Sequence, residues 1–321
     1  MRMVSLNGEK IFITGGTGFV GSNLVRWALK QGAEVYTSVR RTSDTWRLHD
    51  ILGDIALIPV DLENQRELVL FMKDIRPNII FHTAVYGGNP AQFDLNKMLC
   101  SNIIGTANLI RSCRDIPFDL FVNTGSSSEY GIKESPMKES DILEPVTDYA
   151  VSKASSTLLC RSKALNDGLP IVTLRLFSPY GYYEGRSRLI PSVVLNALRK
   201  VSPVISSREF VRDFIFIEDV VDAYGSLLEL KDPAGEIFNI GSGKEHTVGE
   251  VTDTIIKYLG DEVDYITGKP QAWKNEPAHW QADIEKAKYE LGWTPHYSLE
   301  YGLRTTVDWF RSNLNLYQEG S

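Results

Sequence analysis

The stretch Lys10-Ile11-Phe12-Ile13-Thr14-Gly15-Gly16-Thr17-Gly18-Phe19-Val20-Gly21 is a short apolar run that breaks directly into a glycine-rich turn. The residues after it, Leu24 to Gln31, have the apolar spacing of a helix. Gly16, Gly18 and Gly21 fit G-x-G-x-x-G, and Gly15, Gly18 and Gly21 fit the wider G-x-x-G-x-x-G. Strand, glycine turn and helix in this order form the context in which missing side chains let the backbone approach a pyrophosphate at the positive end of a helix dipole. A glycine-rich turn with no ligand is the plainer alternative, and the flanking elements weigh against it.

Outward from this point, apolar runs at Ala33–Val39, Ile55–Val60, Asn78–Thr83, Asp119–Thr124 and Ile171–Phe177 read as buried strands. Helical patterns at Gln65–Ile75, Leu95–Cys113 and Tyr149–Leu165 lie between them. Such alternation predicts an α/β fold with a Rossmann-type, doubly wound parallel sheet. After Phe177 the rhythm changes to a Tyr/Gly-rich loop, a helix near Ile190–Lys200, a strand pair within Val204–Ile217, and late helices at Ile284–Leu291 and Leu299–Trp309. The reading is a dinucleotide-binding domain of residues 1–177 plus about 215–241, with a smaller interleaved lobe of about 178–214 plus 242–321.

With 321 residues, 43% hydrophobic and 23% charged, the chain can bury a sizeable core. The net charge of −7, with no basic block, disfavours nucleic acid and anionic membranes as partners. No apolar run reaches the roughly 18 residues of a membrane span, and the N-terminus lacks a signal-peptide pattern, so a cytoplasmic protein is expected. Three scattered cysteines, Cys100, Cys113 and Cys160, support neither a disulfide framework nor a zinc site, and the five histidines show no ligand spacing. Metal is not expected.

At the end of the second strand, where NAD-preferring folds place an acid, the chain reads Val39-Arg40-Arg41-Thr42-Ser43. Two guanidiniums there can clamp a 2′-phosphate, so NADP(H) is expected over NAD(H). Asp61 and Leu62, after the third strand, would face the adenine. Tyr149 and Lys153 stand at i and i+4 on one helix face. About one such match is expected by chance, and Tyr265 to Lys269 is another, but Tyr149 opens a helix after the fifth strand. A cation beside the phenol favours its ionised form and fits the pair for proton relay. The fifth strand ends in Gly125-Ser126-Ser127-Ser128-Glu129-Tyr130-Gly131 at the edge where open α/β sheets bind ligands, and a serine there can hold a substrate oxygen during hydride transfer.

Taken together, the glycine loop, Ser126 with Tyr149 and Lys153, Val211-Arg212-Asp213-Phe214-Ile215-Phe216-Ile217-Glu218-Asp219-Val220 and the ending Leu291-Gly292-Trp293-Thr294-Pro295 resemble the extended short-chain dehydrogenase/reductases that modify nucleotide sugars. The resemblance implies Ser126, Tyr149 and Lys153 as the catalytic set, with Lys153 also on the nicotinamide ribose. It further implies a cofactor site of Gly15, Thr17, Gly18, Phe19, Val20, Gly21, Arg40, Arg41, Ser43, Asp61, Leu62, Thr83, Ala84, Tyr149, Lys153 and Phe177. Tyr86, Ser127, Ser178, Arg188, Leu189 and Arg212 would meet a nucleotide-sugar substrate, with Arg212 on its diphosphate, and a homodimer is implied. Members that dehydrate carry acids directly after the catalytic Ser/Thr, where this chain has Ser127 and Ser128, with Glu129 one residue late, so a 4,6-dehydratase is the less expected reading. The segments His82-Thr83-Ala84-Val85-Tyr86-Gly87 and Arg212-Asp213-Phe214-Ile215-Phe216 resemble those of abequose- and paratose-synthase-type enzymes, which makes NADPH-dependent reduction of a 4-keto-6-deoxy sugar the expected reaction. A nucleotide-sugar 4-epimerase is the alternative, and a non-catalytic dinucleotide sensor is a rival from another class.

Overall fold

Strand β1, Lys10–Thr14, is buried on both faces: Ile11 and Ile13 enter one apolar cluster with Leu24 and Val25, while Phe12 enters a second with Leu68, Ile80 and Phe121. Apolar residues on both sides of a two-residue period suit a strand covered by helices on both faces. The computed structural model describes residues 5–89, 91–260, 263–268 and 277–317. Lys269 of the second Tyr-x-x-x-Lys match, and residues 1–4 and 318–321 at the chain ends, lie outside them.

The chain continues through α1 (Phe19–Lys30), β2 (Glu34–Val39), β3 (Ala56–Pro59), α2 (Gln65–Ile75) and β4 (Ile79–His82). Next come α3 (Leu95–Met98), a π-helical stretch at Leu99–Ile104, α4 (Gly105–Ser112), β5 (Leu120–Ser126), α5 (Asp148–Asp167) and β6 (Ile171–Leu176). Then follow β7 (Ser178–Tyr180), α6 (Leu189–Leu198), β8 (Val204–Ile205), β9 (Val211–Arg212), β10 (Phe214–Phe216), α7 (Ile217–Ser226) and β11 (Ile237–Ile240). The last are β12 (His246–Thr247), α8 (Val248–Leu259), β13 (Ile266–Thr267), α9 (Glu285–Glu290) and α10 (Leu299–Ser312).

Seven parallel strands form the central sheet in the order β11-β6-β5-β4-β1-β2-β3. Because β1 pairs with β2 on one side and β4 on the other, the order reverses beside β1. The crevice outside the carboxyl ends of the strands opens there. The expected α/β sheet is therefore present. The expected strand pair within Val204–Ile217 is not: β8 pairs with β13, β9 pairs antiparallel with β12, and β10 runs parallel to β7. Each of these short strands finds its backbone partner far away in sequence, which periodicity does not encode. The single helix expected at Leu95–Cys113 is interrupted by the π-helical stretch, a feature frequent at functional sites. Among the described residues no helix is long and apolar enough to cross a membrane.

Candidate active site

The glycine loop leaves β1 at Gly15, whose φ of +72° favours glycine, and Gly18 N donates to Gly15 O at 2.9 Å. A Cβ on Gly21 would lie 2.2 Å from Gly15 O, and one on Gly15 would lie 2.6 Å from Ala84 N. Thr83 closes the cradle just after β4, its hydroxyl donating to Thr14 O at 2.7 Å. Gly18 is the N-cap of α1 and contributes no side-chain cap, and no acid stands in the first turn. The N–H groups opened by Phe19 and Val20 thus suit an anion, and the loop fits the pyrophosphate of a dinucleotide. Arg47, which carries no motif in the sequence, donates to Thr17 O at 3.2 Å and to Tyr183 O at 2.7 Å, tying this loop to the segment after β7.

Arg40 and Arg41 are exposed in the turn after β2, where Arg40 N donates to Ser43 Oγ at 2.9 Å. Asp61 accepts from Glu63 N at 3.0 Å in the turn after β3, and Leu62 is buried beside it, its carbonyl held by Asn108. Phe177 is fully buried in a small cluster with Tyr130, Met137 and Ala282. Its ring therefore sits in the core.

Beyond β5 the chain turns through a capping box: Ser126 Oγ accepts from Ser128 N at 3.2 Å, and Glu129 Oε1 accepts from Ser126 N at 2.8 Å. Helix α5 starts under the Thr147 cap, with Ala150 N donating to Thr147 Oγ1 at 3.1 Å, and presents Tyr149 and Lys153 toward the end of β5. Lys153 is buried and donates to Thr124 O. Burial pushes the Tyr149 phenol above its ordinary value; a hydrogen bond with Ser126 and the charge of Arg188 pull it down, while Glu129 pushes it up. Arg188, at the start of α6, is a cation acting on this phenol. Burial lowers the Lys153 ammonium, opposed by Glu129 and Cys160. Fully buried His82 bonds Thr14 and Thr106, and its pKa falls to about 3 through burial and the Lys153 charge. It is a neutral structural group.

Several substrate-side candidates converge on the same edge. Arg188 caps α6, with Leu189 as the first helical residue, and its guanidinium donates to Gly88 O at 3.3 Å. Tyr86 exchanges both backbone hydrogen bonds with the Asn102 side chain, at 2.8 Å each, and Asn102 also donates to Ser152 Oγ at 2.9 Å. Asn102 thus locks the loop after β4 onto α5. It lies in the π-helical stretch and carried no motif in the sequence. The Trp280 indole donates to Ser127 Oγ at 3.1 Å, and Arg212 sits 5.3 Å from the Trp280 ring centroid. Ser178 N donates to Asp213 O, and the buried Asp213 carboxylate gathers Ser242 N, Gly243 N and Ala282 N. Trp280, an isolated aromatic in sequence, joins the Ser126 loop to Arg212. Among the described residues no cluster of His, Cys, Asp and Glu forms a metal site.

The sequence model of the NAD-dependent epimerase/dehydratase family matches residues 11–241, from β1 through β11. The chain belongs to this family. The dTDP-glucose 4,6-dehydratase of Neisseria meningitidis serogroup B is 28% identical, covering 97% of this chain and 95% of its own. The UDP-glucose 4-epimerase of Thermotoga maritima, solved with UDP-glucose, superposes with a TM-score of 0.87 at 26% identity, covering 95% of this chain and 99% of its own. The UDP-glucuronic acid 4-epimerase of Bacillus cereus, in complex with UDP-glucuronic acid and NAD, gives 0.85 at 27% identity, over 94% and 99%. The glycine cradle of this epimerase/dehydratase family member fits a nicotinamide dinucleotide on its own geometry.

Proposed function

We propose that this family member transfers hydride and proton at C4 of a nucleotide-linked hexose, with net 4-epimerisation as its reaction. One observation carries the choice against dehydration. Glu129, the acid nearest the places where dehydratases need one, is fully buried and bound to Arg175, and Ser127 and Ser128 hold the adjacent positions. Neither position directly after Ser126 thus carries an acid to take a C5 proton or to protonate a leaving hydroxyl. The two solved relatives named above are 4-epimerases, which favours epimerisation over the net reduction expected from sequence.

The bound nicotinamide dinucleotide supplies and accepts the hydride. The glycine loop would hold its pyrophosphate, and Lys153 its nicotinamide ribose. Tyr149 moves the proton to and from the 4-oxygen, Ser126 hydrogen-bonds that oxygen as its charge changes, and the burial of Ser126 strengthens its bond. Arg212 with Trp280 would take the diphosphate end. The same proposal includes a cytoplasmic location and a homodimer, the pairing supported by exposed Ile104, Val151 and Leu158 on neighbouring helical elements.

Val39, Arg40 and Arg41 favour a second reading, in which NADPH reduces a 4-keto-6-deoxy sugar. Stoichiometry separates the two. An epimerase interconverts C4 epimers with substoichiometric bound cofactor and no net absorbance change, whereas a reductase oxidises one NADPH per product. NADPH consumption in proportion to product with any nucleotide-linked 4-keto sugar, and no epimerisation of UDP-hexoses, would transfer the assignment to the reductase.

A further inference from the structure

Glu129 lies outside the proton relay just described, yet both its carboxylate oxygens are engaged beneath it. Its Oε1 accepts from Ser126 N at 2.8 Å and from Thr157 Oγ1 of α5 at 3.0 Å, while Oε2 meets Arg175 Nε of β6 at 2.9 Å. Both partners of this ion pair are almost completely buried, at 0% and 2% side-chain exposure. Arg175 continues the chain of contacts to the Tyr130 hydroxyl at 2.8 Å, and Tyr130 donates to Asn239 Oδ1 at 2.7 Å. Asn239 Nδ2 then reaches Met137 O and Asp283 O. A single buried network therefore runs from the amide of Ser126 to the segment that carries Ala282 and Trp280.

We infer that Glu129 is a positioning residue for Ser126, Tyr149 and Lys153: its carboxylate, anchored by Arg175, holds the Ser126 loop from beneath and ties it to the helix that carries Tyr149 and Lys153. A buried ion pair is weak as a source of stability, so its presence under a catalytic loop calls for a different use. Placement is that use. The bond to Ser126 N fixes where the neighbouring hydroxyl points, and the bond to Thr157 ties that loop to the helix carrying Tyr149 and Lys153. The charge reaches both groups, raising the phenol and opposing the loss of the Lys153 proton.

The other groups in this field are few. Tyr149 faces Ser126 from β5 and Arg188 from the start of α6, and Lys153 faces Cys160 on its own helix and His82 on β4. Around Glu129 stand Arg175, Tyr130, Lys153 and Cys160, with Glu139 acting on Tyr130. This inference rests on the reading of Ser126, Tyr149 and Lys153 as the reacting set.

The test is a titration of the Tyr149 phenol by ultraviolet difference absorbance in the full chain, with Tyr149→Phe in each background subtracted, alongside turnover. Glu129→Gln keeps an acceptor for Ser126 N and loses the charge, so the Tyr149 titration should move to lower pH, and turnover should fall by up to roughly a hundredfold. Glu129→Asp keeps the charge on a shorter stem and should leave the titration near wild type while turnover stays reduced. If Glu129→Gln does not fold, because Arg175 is stranded, Glu129→Gln with Arg175→Met strands no charge and should still move the titration downward, by less than the single variant, which also leaves the Arg175 cation unopposed. An unmoved Tyr149 titration in the folded variant lacking the charge overturns the inference alone. Full turnover by Tyr149→Phe overturns the reading on which it rests.

Discussion

Replacing Glu184 with glutamine should flatten the pH dependence of stability. Glu184 lies in the loop between β7 and α6, at 6% side-chain exposure, and its Oε2 has no hydrogen-bond partner among the described residues. Arg188 approaches to 3.9 Å, and Arg47 acts from farther away, but burial dominates and lifts the carboxyl from 4.5 to about 8. The folded chain therefore keeps a proton that the unfolded chain releases near the ordinary carboxylate value. Stability from this group is complete below about pH 4.5 and is lost as pH rises through about 8. Each tenfold difference in proton affinity between the folded and unfolded chain is worth about 1.4 kcal/mol, so the loss approaches about 5 kcal/mol as an upper bound.

Urea midpoints for wild type and Glu184→Gln, measured at steps between about pH 5 and 8, isolate this contribution, because the histidines and all other groups are common to both chains. The wild-type advantage should shrink steadily across the window, with equal m-values. Parallel stability curves would refute the argument, since they require Glu184 to titrate alike in both states.

Tyr149→Phe should retain cofactor binding, because the glycine cradle is untouched, and lose nearly all turnover, as steady-state assay and cofactor titration will show. Arg40→Ala with Arg41→Ala should weaken NADPH more than NADH, by about one to two decades per lost phosphate contact. Equal losses, or a starting preference for NADH, would remove the case for the 2′-phosphate grip.

Much of this molecule is legible one segment at a time. Ile11, Phe12 and Ile13 announce a strand buried on both faces, Gly15 to Gly21 announce a turn that admits no side chains, and Tyr149 and Lys153 share a helix face because α-helical spacing requires it. These readings depend on neighbours within a few residues, so the amino-acid sequence by itself determined the doubly wound sheet, the cradle and the Tyr/Lys pair. Contacts across long separations were decided elsewhere. Glu129 reads only as an acid one residue late for dehydration until Arg175, 46 residues on, is found against it. Ser127 gains its Trp280 partner across 153 residues, and Asn102 joins Tyr86 to Ser152 from a helix with no motif. Val204 to Ile217 contains strands in sequence and in structure, but their partners lie in other loops. Local propensity and periodicity report how a segment bends and which side it buries. Only tertiary packing decides which buried polar group meets which, because each such pairing is chosen by the cost of leaving a desolvated charge or amide unmatched.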